Sequence, residues 1–147
     1  MTVRLVPVLL ALALTACSSV QHGPRGWIEP AEAVRAANDD PGYGVRGRFV
    51  MVVKAIGHDR GRTYLNSERD YRHQTCLTVA MNDAVARSLA LRLGVAEPEL
   101  RNRRIVVQGT ARRVRIDLLD DRGKRTGLHY FQTHVVVDSP TQVEFAG

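Results

Sequence analysis

The chain has 147 residues and a formal net charge of +6. With a short N-terminal leader set aside, that length makes one domain of ordinary size, able to bury a core unaided. The basic excess permits anionic partners (nucleic acid, lipopolysaccharide, acidic lipid or acidic glycan) without choosing among them, and aromatic residues, at 5%, restrict any stacking platform to a few positions.

The first segment reads MTVRLVPVLLALALTACSS. One charge, Arg4, precedes an apolar run from Leu5 to Leu14, and small residues follow. That order is a secretory signal peptide, and its apolar run falls well short of the ~20 residues a spanning helix needs. The exit, Leu14-Thr15-Ala16-Cys17, resembles the lipobox of bacterial lipoproteins. The resemblance implies that a lipid is attached to the Cys17 sulfur and that cleavage before Cys17 makes it the mature N-terminus. Two or more acyl chains hold stably where one does not. Ser18, by the same resemblance, implies delivery to the outer membrane, with the domain in the periplasm. If Cys17 carries a lipid, the second cysteine, Cys76, has no partner within the chain. Its setting, TCLTVAM, reads as a buried small hydrophobe rather than a redox group, because no CxxC accompanies it.

Residues 17–29 carry Ser, Gly and Pro with little periodicity and read as a lipidated tether. Over 30–44, Pro30 suits a first helical turn, and Ala33, Val34 and Ala37 make a short apolar face before DDPGYG stops it. From Val45 the character turns to β. VRGRFVMVVKAIG predicts a long strand, HDRGR a polar turn, TYLNS a short strand, ERDYRHQ a polar connection and TCLTVAM a third strand. NDAVARSLALRLG predicts a helix over 83–93, with Asn82 or Asp83 as cap, Gly94 as C′ glycine and Val85, Leu89 and Leu93 as its apolar stripe. Beyond the Pro98 connection, RRIVVQGTARRVRIDLL predicts a strand whose second half alternates. Arg113 and Arg115 then fall on a wet face, and Gly109 marks a bulge or bend. DDRGKR is a hairpin turn, TGLHYFQTHVVVDS the returning strand, and TQVEF a last short piece.

Five strands with one helix between the third and fourth is the element order of a small Greek-key barrel. Several segments are similar to bacterial OB-fold domains: Val45-Arg46-Gly47, Tyr64-Leu65-Asn66, Asp70-Tyr71, Leu77-Thr78-Val79, the run Leu100 to Gly109, and Ser139-Pro140-Thr141-Gln142-Val143. The similarity covers roughly residues 45–145 and departs at Asn102, where those domains usually carry glycine. The expected fold is therefore all-β with one or two helices, a five-stranded OB-fold-like barrel over 45–147.

OB-folds bind ligands on the face of their second and third strands, between the loops joining strands one to two and four to five. Here those loops place Arg60 and Arg62 on one side and Arg122, Lys124 and Arg125 on the other, a basic rim for an anionic strand. Asp-Arg-Gly is also good turn chemistry, and Asp59, Asp120 and Asp121 offset the charge, so a merely solvated turn is the competing reading. Tyr64, Tyr71, Tyr130 and Phe131 are the stacking candidates; Tyr64 and Tyr71 lie within reach of the platform, although Tyr64 points either to the platform or to the barrel interior. Asn66 reads as a turn residue. Arg101, Arg103, Arg104, Arg112, Arg113 and Arg115 form a second basic group that either meets membrane phosphates or protects a strand edge.

No catalytic, metal or cofactor motif emerges. The five histidines fit neither HExxH nor a CxxC…H set, His129 and His134 should face opposite sides of one strand, and His58-Asp59 is adjacent by chance as easily as by design. Two function classes stand. One is a non-enzymatic envelope lipoprotein binding an anionic oligosaccharide or single-stranded nucleic acid. The other is an assembly lipoprotein contacting another envelope protein.

Overall fold

The computed structural model describes residues 25–147. The leader, Cys17 and the first part of the expected tether lie outside the described residues. The elements in chain order are helix α1 (Pro30–Asp39), strands β1 (Val45–Val52), β2 (Ala55–Asp59), β3 (Arg62–Asn66) and β4 (Leu77–Asn82), helix α2 (Asp83–Leu93), and strands β5 (Arg104–Leu119), β6 (Arg125–Val136) and β7 (Val143–Phe145). The fold is mostly β with two helices.

The seven strands form one sheet in the order β1-β5-β6-β4-β3-β2, with β7 also on β5. Only β4 and β6 run parallel. The expectation of five strands is corrected to seven, and two physical causes account for it. The apolar run from Val45 breaks at Val53 and Lys54, whose amides turn to opposite edges. Val53 donates to the Arg103 carbonyl at 3.0 Å, and Lys54 donates to the Asn66 carbonyl at 2.8 Å. The first half of the run therefore pairs with β5 and the second with β3, and the ladder stays open between β1 and β2. The last short piece, β7, pairs with Ile105–Val107.

The core gathers Phe49, Met51, Leu65, Leu77, Val79, Leu89, Leu100, Ile105, Val107 and Val135. Ile28, assigned by sequence to the tether, is fully buried and bridges to Phe49, because its N–H and C=O hydrogen-bond to β1. α1 begins with Pro30 in its first turn and buries Ala33, Val34 and Ala37, the face read from sequence. α2 is capped by the Asn82 side chain, which accepts from Val85 N–H at 2.8 Å, and ends at Gly94 with φ 69. That left-handed conformation favours glycine. Leu89 is fully buried between Ala86 and Ala90, while Val85 and Leu93 lie at the margins of the buried face. Arg92 in the last turn donates to the carbonyls of Pro140 and Val143, tying α2 to the segment before β7. Cys76 is buried with a free thiol.

Two readings of β5 are corrected. Gly109 is no bulge: it pairs in unbroken register with Gly47, and a Cβ there would meet Val135 Cγ1 at 2.6 Å. The irregularity falls instead between Asp117 and Leu119. Nor does the alternation beyond Ala111 give one buried and one wet face. Leu118, Leu119 and Leu128 are exposed, and Arg113 is half-buried. β4 pairs with β6 only at residues 133–136 and β1 pairs with β5 only as far as Ala111, so toward its tip the β5–β6 hairpin is a two-stranded ribbon extending beyond the rest of the sheet.

Candidate functional site

The site follows from the two-residue period of three neighbouring strands. On β3, Thr63 and Leu65 are buried while Tyr64 and Asn66 alternate to the other face. On β4, Leu77 and Val79 join the core and Thr78 takes the outer side. On β6, Val135 is in the core, and Tyr130, Gln132 and His134 share the outer side. Register places Asn66 opposite Thr78, and Thr78 opposite His134. This outer face is hollowed into a groove of about 350 Å³, completed by Gly57, His58 and Asp59 from β2, Tyr71 from the β3–β4 connection, and Ile116 from β5. Its size lies at the low end for small-ligand sites.

The floor is held by a chain of hydrogen bonds. His134 Nε2 lies 2.6 Å from Gln132 Oε1, and the Gln132 amide donates to the Tyr130 hydroxyl at 3.0 Å. An amide oxygen only accepts, so His134 carries its proton on Nε2 and keeps Nδ1 as an acceptor. Burial lowers the His134 pKa to about 4, helped by the nearby Arg62 guanidinium, and the ring is neutral at pH 7. Tyr64 packs beside it, ring centroids 6.1 Å apart. The Asn66 side chain accepts from the Thr78 hydroxyl at 2.8 Å, so it braces the sheet rather than a turn.

Among the described residues, the charged side chain that lines the groove is Asp59, and two arginines stand outside the lining. The Arg72 guanidinium sits 4.9 Å over the Tyr71 ring. Burial raises the Tyr130 pKa, the Tyr71 phenol adds to the rise, and Arg72 opposes it. Neither Arg62 nor Arg72 forms an ion pair among the described residues. At the β2 margin, His58 is 3.0 Å from Glu97 and 3.3 Å from the Thr63 hydroxyl, which donates to Asp83. His58 is therefore engaged with Glu97 and Thr63 and does not form an acid–base pair with Asp59.

Of the residues singled out by sequence, the groove gathers Tyr64 and Tyr71; Arg62 is exposed and does not line it, although its charge acts on His134. Arg60 stands in the β2–β3 turn with φ 47, followed by Gly61 at φ 76, and is exposed. Arg122, Lys124 and Arg125 lie at the exposed tip of the β5–β6 hairpin, none of them lining the groove. There Asp120 accepts the backbone amides of Arg122 and Lys124, and Arg125 pairs with Asp117 at 3.2 Å. The second arginine group disperses. Arg103 stacks on Phe145, Arg104 pairs with Glu29, Arg115 pairs with Asp117, and Arg113 stacks on Phe131.

Sequence reading missed Arg72, Gln132 and His134 as site residues and left Tyr130 in the background. The signal was present in Tyr130-Phe131-Gln132-Thr133-His134, where strand alternation puts three polar rings and amides on one face. Among the described residues no group of three His, Cys, Asp or Glu side chains is placed to hold a metal ion, and no helix is long and apolar enough to cross a membrane. No protein-family model and no curated protein matches the chain.

Proposed function

We propose that this chain is a non-enzymatic envelope lipoprotein whose OB-fold-like domain holds an acidic oligosaccharide in the groove of β3, β4 and β6. The barrel reading is supported by the strand order. β1 and β2 stand at opposite ends of that order, yet they are two halves of one chain segment, so the chain itself joins the ends of the open ladder. The parallel β4–β6 pair and the helix between β4 and β5 fit the same topology. Asn102, where the resembling motif usually carries glycine, has φ 64. Asparagine is among the few residues that tolerate that conformation.

The observation that supports the ligand reading is the lining of three tyrosines and two neutral amides, with Arg72 stacked on Tyr71 and Arg62 near His134, neither arginine lining the groove and neither in an ion pair among the described residues. Tyrosine faces take the apolar side of a sugar ring, while amides and hydroxyls meet its hydroxyl groups. Unpaired guanidinium groups suit a sugar carboxylate in bidentate geometry. The compact groove and its hydrogen-bonded floor favour one or two sugar rings over the longer track of stacked bases that single-stranded nucleic acid uses.

The anchor at Cys17, outer-membrane delivery and a periplasmic domain rest on the leader and its lipobox resemblance. The assembly reading keeps one observation of its own, the exposed Leu118, Leu119 and Leu128 on the hairpin. Titration of the protein with oligogalacturonate, its neutral reduced counterpart and oligothymidylate separates these readings. Saturable binding of the acidic sugar alone supports the proposal. Preference for oligothymidylate moves the function to nucleic acid, and no binding of any of the three favours the assembly reading.

A further inference from the structure

A second concavity, of about 390 Å³, lies on the other side of the β5–β6 ribbon, between α1, residues 73–76 and the two strands. Arg113 and Phe131 form its inner wall. The Arg113 guanidinium lies 3.5 Å over the Phe131 ring. It has no ion pair among the described residues, and its Nε, closed to water, has no hydrogen-bond partner. It is the one buried side-chain nitrogen or oxygen among the described residues left in that condition. A buried donor without a partner costs free energy, and a native protein keeps few of them.

The lining explains what is missing. Among the described residues, no Asp or Glu lines this concavity. Its polar groups include the neutral side chains of Asn38, Gln74 and Thr75, and its apolar wall includes Val34 and the Phe131 ring. The other arginine on its margin, Arg35, is already paired with Glu32 and Asp39 on its own helix. A fixed positive charge without a counter-ion, a flat aromatic face beside it and neutral donors around it match a small anion with an apolar body.

We propose that this concavity binds a carboxylate-bearing small molecule. The carboxylate meets the guanidinium fork of Arg113, including Nε once the half-exposed Phe131 ring turns aside, and the apolar body lies against Val34 and Phe131. A planar carboxylate matches the fork with two parallel hydrogen bonds, which lysine cannot reproduce. The site shares no charged group with the groove and does not depend on the function proposed for it.

The test is a titration of the full chain, labelled with 15N in its arginine side chains and 13C in its phenylalanine rings, with benzoate and separately with inorganic phosphate. The Arg113 Nε–H signal and the Phe131 ring signals should move together and saturate with benzoate, with little response to phosphate. R113K should bind benzoate at least tenfold more weakly. R113M should show no saturable binding while melting at the same or a higher temperature, since it removes the orphaned donor. An unsaturable or absent response to benzoate, an equal response to phosphate, or unchanged affinity in R113K would overturn the proposal.

Discussion

Tyr64 and His134 meet across β4, their ring centroids 6.1 Å apart and their planes tilted by 56°. The two residues are seventy positions apart in sequence and on strands that do not pair with each other. They come together because β4 carries only the small side chains of Thr78 and Ala80 on the face between them. The groove exists at this point because small residues on the middle strand leave room that larger ones on β3 and β6 surround.

The neutral state of His134 makes stability pH-dependent. Its pKa falls from 6.5 in the unfolded chain to about 4 in the folded one. Between those values the unfolded chain binds more protons, so the stabilising contribution is complete above pH 6.5 and is lost as pH falls toward 4. The expected slope is up to ~1.4 kcal/mol per pH unit for this one group. H134Q, which still donates to Gln132, should flatten the curve in that window relative to the parent protein. Urea unfolding from pH 7.5 to 4 measures it, and identical curves for both proteins would contradict the assignment.

Leu89 is the fully buried residue of α2. Leu89→Ala should cost ~2–5 kcal/mol in equilibrium unfolding. Leu91→Ala, on the same helix but 82% exposed, should change stability by under about 0.5 kcal/mol. Equal costs would place the helix differently against the sheet.

Much of the fold is legible from local pattern. α1 and α2 follow from capping, punctuation and apolar spacing, and every expected strand exists because β-branched runs have few other places to go. The break at Val53 and Lys54 is not legible, since both halves of the run have the same composition and only the opposite turning of two amides divides them. The exposed hairpin is missed for a related reason. Val114, Ile116 and Leu118 alternate as a half-buried strand should, but β4 ends its pairing before it reaches them. Charges in turn sequences point to a basic rim there, yet at the hairpin tip Arg125 pairs with Asp117 and Arg122 is exposed, while Asp120 accepts only backbone amides. Arg72 escaped notice because nothing local to ERDYRHQ places that connection over Tyr130.

The lipid anchor is tested by fractionation. Cys17→Ser should move the protein from the membrane to the soluble fraction and abolish acyl-chain labelling, whereas Cys76→Ser should leave both unchanged. Continued labelling of Cys17→Ser would remove the anchor from the account while leaving the groove intact.

The groove itself is tested most directly by calorimetric titration with oligogalacturonate across a range of salt concentrations, comparing two sets of substitutions. Replacing Arg62 and Arg72 with Gln should weaken binding at least tenfold and flatten its salt dependence, and Tyr71→Ala should cost a further ~1–3 kcal/mol if a ring stacks there. Replacing Arg122, Lys124 and Arg125 with Gln removes more charge from the distal hairpin tip and should change affinity by no more than about twofold. If the tip substitutions weaken binding as much as the rim substitutions do, or if binding ignores Tyr71, the attraction is that of a basic surface and the groove is not the site.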